Sequence, residues 1–104
     1  MAQFDVYRNP NKASSRAIPF LVDVQCDHLS GFETRVVIPL TTAEQLDKAA
    51  RRLNPHFEID GAALIMMTER LAAVPKQALG PQVTSLAKHR DDILAALDFL
   101  ILGF

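Results

Sequence analysis

The stretch FEIDG, residues 57–61, decides the fold class of this chain. Asp-Gly directly after an alternating apolar segment is the strongest short-range signal for a β-hairpin. The return strand is therefore predicted over residues 62–67. The window 62–73 also contains helix-forming residues, and periodicity alone does not separate strand from helix there. The Asp-Gly turn favours the strand, with a further short strand over residues 71–74 before Pro75.

Three more strands are predicted on the N-terminal side of this hairpin. Residues 3–7 alternate between polar and apolar side chains and predict a half-buried strand, followed by a polar, turn-rich loop over residues 8–17. A second alternating strand starts at Phe20 and continues through Asp27. The β-branched run over residues 34–40 predicts a third strand, closed by Pro39, which cannot donate to a ladder.

Two helices complete the prediction. Thr42 is a suitable N-cap with Gln45 at the capping-box position, and Asn54-Pro55 ends that helix. From Ser85 onward the pattern is helical to the end of the chain. The apolar positions that share one face of this second helix are Leu86, Ile93, Leu94, Leu97 and Ile101. About six short strands, one modest helix and one long terminal helix predict a single antiparallel α+β domain over residues 1–104.

The composition places the chain among small globular domains of the cytoplasm. Of the 104 residues, 49% are hydrophobic and 22% are charged, and the formal net charge is -1. A balanced charge argues against a dedicated nucleic-acid or membrane-surface binder. The lone Cys26 cannot form an internal disulfide, the N-terminus does not match a signal peptide, and the apolar segment 93–104 is too short to span a bilayer.

We expect no catalytic residue, cofactor or metal ion. His28, His56 and His89 are the available bases, but no spacing places a serine or Cys26 beside one of them. Cys26 is interpreted as a small buried hydrophobe at a strand end. Metal-ligand pairs of the Cys-x-x-Cys or His-x-His type and clustered glycines are absent from the sequence.

The C-terminal stretch DFLILGF, residues 98–104, is physically unusual. Four consecutive apolar residues in a helix occupy about a full turn, so they cannot all face one core. Either some of them are exposed and mark an interaction site, or the last turn is wedged into the core of the chain. Both alternatives remain open from the residues alone.

The chain as a whole resembles the CcdB family, toxins of plasmid toxin–antitoxin systems that poison DNA gyrase. The resemblance keeps a nearly constant register from Gln3 to Phe104. It rests on QF-x-VY at 3–7, VDVQ-x-D at 22–27, VVIPL at 36–40, MMT at 66–68, VP at 74–75, DI at 92–93 and Gly103.

This resemblance implies an SH3-like barrel of antiparallel strands with a small extra sheet and a long C-terminal helix. It implies a homodimer formed through the sheet and the helix ends. The dimer would enter the cavity of the gyrase A subunit and trap the enzyme on cleaved DNA, acting as an inhibitor and not as a catalyst. A CcdA-like antitoxin with a disordered tail would neutralise it. Direct nucleic-acid binding, a membrane partner and cofactors are not expected.

The resemblance also assigns residues that contact gyrase: Asp98, Ile101, Leu102, Gly103 and Phe104 at the C-terminus, with His28 and Leu29. The family ends in Trp-Gly-Ile, whereas this chain ends in Leu102-Gly103-Phe104. Leucine offers no π face to a gyrase arginine, so a stacking contribution of about 0.5–2 kcal/mol is missing. Phe104 supplies an aromatic ring two residues further on.

Three functions therefore remain in view. The first is a working gyrase poison, and the second is a homologue that binds antitoxin but poisons gyrase weakly or not at all. The third is a MazF-like ribonuclease on the same barrel, with Thr34, Arg35 and the histidines recruited for RNA cleavage. The balanced charge does not favour RNA, and a shared fold does not establish a function.

Overall fold

The computed structural model describes residues 2–42 and 52–104. Within these residues the chain forms seven strands, four short 3-10 turns and one α-helix. The elements in chain order are β1 (Asp5–Arg8), β2 (Phe20–Asp23), β3 (Thr34–Thr42), β4 (His56–Ile59), β5 (Ala62–Met66), β6 (Ala72–Pro75), β7 (Gln82–Ser85) and α1 (Arg90–Leu102).

The strands form one antiparallel sheet in the order β4-β5-β3-β2-β1-β7. Strand β6 branches from this path and pairs with the first half of β3, so the smaller part of the sheet is continuous with the main part. The sheet curls into a half-barrel with the helix at the C-terminal end of the chain. The predicted antiparallel α+β, barrel-like fold is confirmed.

The hairpin that decided the fold class forms as predicted. Asp60 and Gly61 have φ angles of 52° and 78°, the left-handed conformation that a tight hairpin turn requires at both central positions. β4 and β5 pair antiparallel from His56 opposite Ile65 to Ile59 opposite Ala62. The window 62–73 that sequence periodicity left open therefore contains β5 and the start of β6, separated by the 3-10 turn Thr68–Arg70.

Pro39 lies inside β3 and does not close it. The strand continues to Thr42, with Pro39 opposite Leu21 of β2. On the other side of β3, β6 pairs as far as Val37 and β5 begins at Leu40. The missing N–H of the proline therefore falls in the gap between two partner strands, where no ladder donor is required.

Other boundaries differ from the predictions for local reasons. β2 ends at Asp23, and just beyond it the Gln25 side-chain oxygen accepts the amide of Val36 on β3 at 3.0 Å, so a side chain replaces the backbone partner there. The residues after it form a 3-10 turn, Asp27–Leu29. The segment Gln82–Ser85 forms β7 on the far edge of β1, and the helix begins only at Arg90.

Most of the helix predicted between Thr42 and Asn54, residues 43–51, lies outside the described residues. At its two ends the prediction is wrong, because Thr42 ends β3 and residues 52–53 form a turn.

The hydrophobic core lies between one face of the sheet and α1. Ile93 and Ala96 of the helix are fully buried in it, and Leu94 and Leu97 pack against it. The buried strand residues of this core are Val6, Phe20, Val22, Ile38, Leu40, Phe57, Ile59, Leu64 and Met66. Phe4 and Val24, which adjoin β1 and β2, and Leu86, just before the helix, complete it. The predicted apolar face of the helix is thus confirmed up to Leu97, and beyond it the helix leaves the core.

Candidate functional site

The end of α1 presents an exposed apolar cluster, which we call the helix-end cluster: Ile101, Leu102 and Phe104. Their exposed fractions are 74%, 58% and 75%. Ile101 therefore does not share the buried face that the periodicity predicted for it. Of the two alternatives open from the sequence, the structure shows that the last turn is not wedged into the core of this chain.

Gly103 shapes the tip of this cluster. Its φ of 80° is left-handed, and its amide donates to the carbonyl of Phe99 at 3.0 Å, closing the helix. Glycine is suited to this C-terminal position because it has no Cβ to clash in the left-handed conformation. The residue that follows, Phe104, consequently leaves the helical path and lies exposed.

Phe99 holds the helix end against the rest of the chain. The guanidinium carbon of Arg52 lies 4.7 Å from the centre of the Phe99 ring, within the range of a cation–π contact. The helix also packs beside the 3-10 turn Thr68–Arg70. The helix-end cluster is therefore presented on a supported element, which lowers the ordering cost when a partner binds.

Asp98 sits on the exposed side of the same helix end. Among the described residues its carboxylate forms no hydrogen bond or ion pair. Burying this carboxylate in a complex is unfavourable unless the partner supplies a cation or donors. The helix end thus combines apolar area with one negative charge.

His28 and Leu29 lie on a separate element, the 3-10 turn Asp27–Leu29, and both are exposed. Gln25 donates from Nε2 to the Leu29 carbonyl at 2.9 Å, and Asp27 accepts the amide of Gln3 at 2.8 Å, which fixes the turn on the sheet. In the described part of the chain, no hydrogen bond, ion pair or ring contact joins this turn to the helix end. The structure thus groups the predicted gyrase contacts into two sets within one protomer.

Phe32 is a further exposed apolar residue that the sequence reading missed, with 58% of its surface accessible. It lies three residues after Leu29, and its amide donates to the Leu29 carbonyl at 3.1 Å. The available signal was a large aromatic in a short connection that contains Ser30 and Gly31. It enlarges the apolar surface next to the turn.

The interpretation of Cys26 as a buried hydrophobe is wrong. Its side chain is exposed, because β2 ends three residues earlier and the chain has already left the sheet.

The centre of the His89 ring lies 5.0 Å from the centre of the Phe57 ring, and the Phe57 side chain belongs to the core. Residues 2–42 and 52–104 contain no group of three potential metal ligands, and no described helix is long and apolar enough to cross a membrane.

A buried polar cluster occupies the sheet beneath the surface. Arg35 donates from Nε to Asp23 Oδ2 at 2.7 Å, and its Nη2 lies 2.6 Å from the same oxygen, with both side chains fully buried. The Tyr7 hydroxyl lies 3.4 Å from Asp5 Oδ2. Burial and the Asp5 carboxylate raise the pKa of Tyr7 to about 12. Burial also raises the pKa of Asp23, although the bond from Arg35 acts in the opposite direction.

This pairing removes Arg35 from any role in RNA cleavage. The ribonuclease hypothesis needs an accessible cation near Thr34, and the structure buries Arg35 completely while Thr34 is exposed. Neighbouring residues of a strand point to opposite faces of the sheet, so the two side chains cannot act on one substrate group. That part of the hypothesis is wrong.

Comparison with known proteins identifies the family. The family described as CcdB protein matches residues 3–103, almost the whole chain. The chain belongs to the CcdB family. It therefore shares the family of toxins from toxin–antitoxin systems to which its sequence motifs pointed.

A solved structure with the same fold is described as an endoribonuclease in complex with its cognate antitoxin from mycobacterial species. It matches with a TM-score of 0.73 at 16% sequence identity, covering 100% of this chain and 96% of the other. Identity at this level establishes a common fold and leaves the activities of the two proteins separate.

Proposed function

We propose that this CcdB-family toxin binds the DNA gyrase A subunit and traps the enzyme on cleaved DNA, as a non-catalytic inhibitor in the cytoplasm. The observation that carries the proposal is the exposed helix-end cluster on a chain of this family. An exposed apolar cluster on a supported helix is the kind of surface that docks another protein. Its three members, Ile101, Leu102 and Phe104, are among the residues that the family resemblance assigns to gyrase.

Each part of the helix end has a distinct role in this proposal. Ile101, Leu102 and Phe104 bury apolar area against gyrase, and Gly103 sets the direction of the last residue. Asp98 pairs with a cation of the partner, since its desolvated charge would otherwise weaken the complex. In the homodimer expected for the family, His28 and Leu29 contribute from the second exposed patch.

Leu102 is the position where poisoning strength is decided. The family's tryptophan stacks on an arginine, and that contribution of about 0.5–2 kcal/mol is absent with leucine. If the missing contribution is decisive, the protein is a homologue that binds antitoxin and poisons gyrase weakly or not at all. This second candidate rests on the same residue, so one substitution distinguishes the two.

A plasmid cleavage assay with purified protein, gyrase and ATP tests the proposal. Linear DNA released after detergent and protease treatment supports poisoning. Leu102→Trp is expected to lower the concentration for half-maximal cleavage by about 2- to 30-fold, the equivalent of the missing stacking energy. Leu71→Trp is the matched control, because it adds the same side chain at another exposed apolar position and should change nothing.

Gly103→Arg, Leu102→Ala and deletion of residues 102–104 complete the test. Each should reduce toxicity while folding and dimerisation stay nearly unchanged. Folding is expected to persist because these residues lie outside the core of the protomer, and dimerisation because the sheet remains as a dimer contact. Loss of the folded dimer would instead show that the tail is a structural element. Absence of cleavage by both the wild type and Leu102→Trp, with gyrase from the protein's own host, would refute gyrase poisoning.

We also propose a CcdA-like antitoxin as the second partner. The family and the structural neighbour's complex with its own antitoxin support this proposal. Co-expression with the open reading frame next to the toxin gene should abolish toxicity and yield a co-purifying complex. Total RNA incubated with the protein should remain intact; its cleavage would move the assignment to the activity of the structural neighbour.

A further inference from the structure

The connection between β1 and β2 carries a concentrated positive charge. Between Asp5 and Asp23 the chain contains three cations, Arg8, Lys12 and Arg16, and no acidic residue, although the whole chain has a net charge of -1. All three side chains are exposed, and none forms an ion pair within the described part of the chain. We call this surface, residues 8–19, the basic loop.

Side-chain hydrogen bonds within the basic loop and from β3 support its conformation. Asn9 donates from Nδ2 to Ser14 Oγ at 3.0 Å and to the Ile18 carbonyl at 2.9 Å. The Ala17 carbonyl accepts from Thr41 Oγ1 at 2.8 Å, which ties the loop to β3. A loop ordered in this way has little conformational entropy left to lose when a ligand binds.

Arg8 is anchored at the start of this loop. Its guanidinium carbon lies 5.6 Å from the centre of the Phe20 ring, and its backbone bonds to Gly80 and Pro81 on the neighbouring segment. A Cβ on Gly80 would lie 2.7 Å from the Arg8 carbonyl oxygen, so glycine permits this close approach. The fold thus positions the charge and leaves the guanidinium exposed.

The composition of the basic loop restricts what it can bind. In protein–protein hot spots arginine acts together with tryptophan and tyrosine in well-packed pockets. The large exposed apolar residues in the described part of the chain lie outside the basic loop: Leu29, Phe32, Leu71, Ile101, Leu102 and Phe104. Single-stranded nucleic acids need exposed aromatic rings for base stacking, and Phe20, the aromatic residue beside Arg8, is buried. Cations without such anchors fit the phosphodiester backbone of a duplex, which arginine and lysine contact without reading sequence.

We propose that the basic loop binds the phosphodiester backbone of duplex DNA without sequence preference. The expectation from net charge was the opposite, because net charge averages this loop with the acidic remainder of the chain. The proposal is independent of gyrase binding, since it concerns the isolated protein. It predicts a contact to DNA on a different element from the helix-end cluster.

Fluorescence anisotropy with a labelled 20-base-pair duplex tests it. Three phosphate contacts per chain give a slope of log K against log salt of about -2.7, so raising salt from 50 to 200 mM should weaken binding about 40-fold. The triple variant Arg8→Gln/Lys12→Gln/Arg16→Gln should lose binding at 50 mM salt. Each single substitution should reduce the slope by about 0.9.

A second triple variant, Arg70→Gln/Lys88→Gln/Arg90→Gln, is the matched control, because it removes three exposed cations elsewhere and changes net charge equally. It should retain most of the binding. Equal loss in both variants, no binding by the wild type, or equal affinity for a labelled poly-glutamate peptide would overturn the proposal. Tighter binding to single-stranded RNA than to the duplex would also overturn it.

Discussion

Replacing Asp23 by asparagine tests the buried ion pair. The change keeps the shape of the side chain and its acceptance of the Gln25 amide, so the only large loss is the charge facing Arg35. Both side chains are fully buried, with nitrogen–oxygen distances of 2.6 and 2.7 Å. Leaving one buried charge without its partner costs about 3–5 kcal/mol of unfolding free energy. That is a large fraction of the typical stability of a domain, about 5–15 kcal/mol.

Adding Arg35→Met to Asp23→Asn removes the remaining charge. A neutral, largely apolar pair is often close to neutral in stability relative to the ion pair, so the double variant should recover at least half of the single variant's loss. The two substitutions should therefore be strongly non-additive, as expected for groups in direct contact.

Urea unfolding followed by circular dichroism, at one fixed protein concentration, measures these differences. Glu58→Gln, which removes an exposed carboxylate on β4, serves as the control and should stay within about 0.5 kcal/mol of wild type. A loss below about 1 kcal/mol for Asp23→Asn, or a double variant as unstable as the sum of the singles, would refute the argument.

Three further predictions follow from buried groups and close approaches. Tyr7 is the only tyrosine, and its pKa is raised from 10.0 to about 12; its tyrosinate absorbance should therefore appear near pH 12 in the folded protein and near pH 10 in urea. Because the Tyr7 hydroxyl loses its proton at lower pH in the unfolded chain, the free energy of unfolding should fall as pH rises from 10 to 12. Titration of Tyr7 near pH 10 in the folded protein would contradict its burial. Gly80→Ala should cost about 1–3 kcal/mol in urea unfolding, since its Cβ would meet the Arg8 carbonyl oxygen. Gly31→Ala, with open space around it, should cost little, and similar losses would contradict the contact. Ile93→Ala should cost about 2–5 kcal/mol, because this fully buried side chain joins the helix to the sheet; a loss under 1 kcal/mol would place the helix outside the core.

The residue types at positions 60 and 61 were sufficient to predict the hairpin turn between β4 and β5. Asp60-Gly61 adopts positive φ angles because its own residues favour them, whatever packs around them. The buried face of the helix up to Leu97 was also predictable, since periodicity at 3.6 residues per turn is a local property. The family was also recognisable from the sequence, because the chain carries the family motifs in nearly constant register.

Pairing between strands that are far apart in the sequence decided two features that the sequence did not predict correctly. β7 carries no clear alternation and exists because β1 offers it an edge. Pro39 is tolerated in mid-strand because the partner changes there from β6 to β5.

The candidate sites divide in the same way. The apolar end of the helix was visible as four consecutive apolar residues, but only the tertiary structure showed that Ile101 and Leu102 among them are exposed. The sequence did not show whether the Arg35 side chain is accessible, whereas packing in the tertiary structure buries it against Asp23. The sequence by itself determines turn geometry and the faces of its helices and strands, because these depend on neighbours along the chain. Burial and strand partnership depend on residues far apart in the chain, so only the tertiary structure decides them.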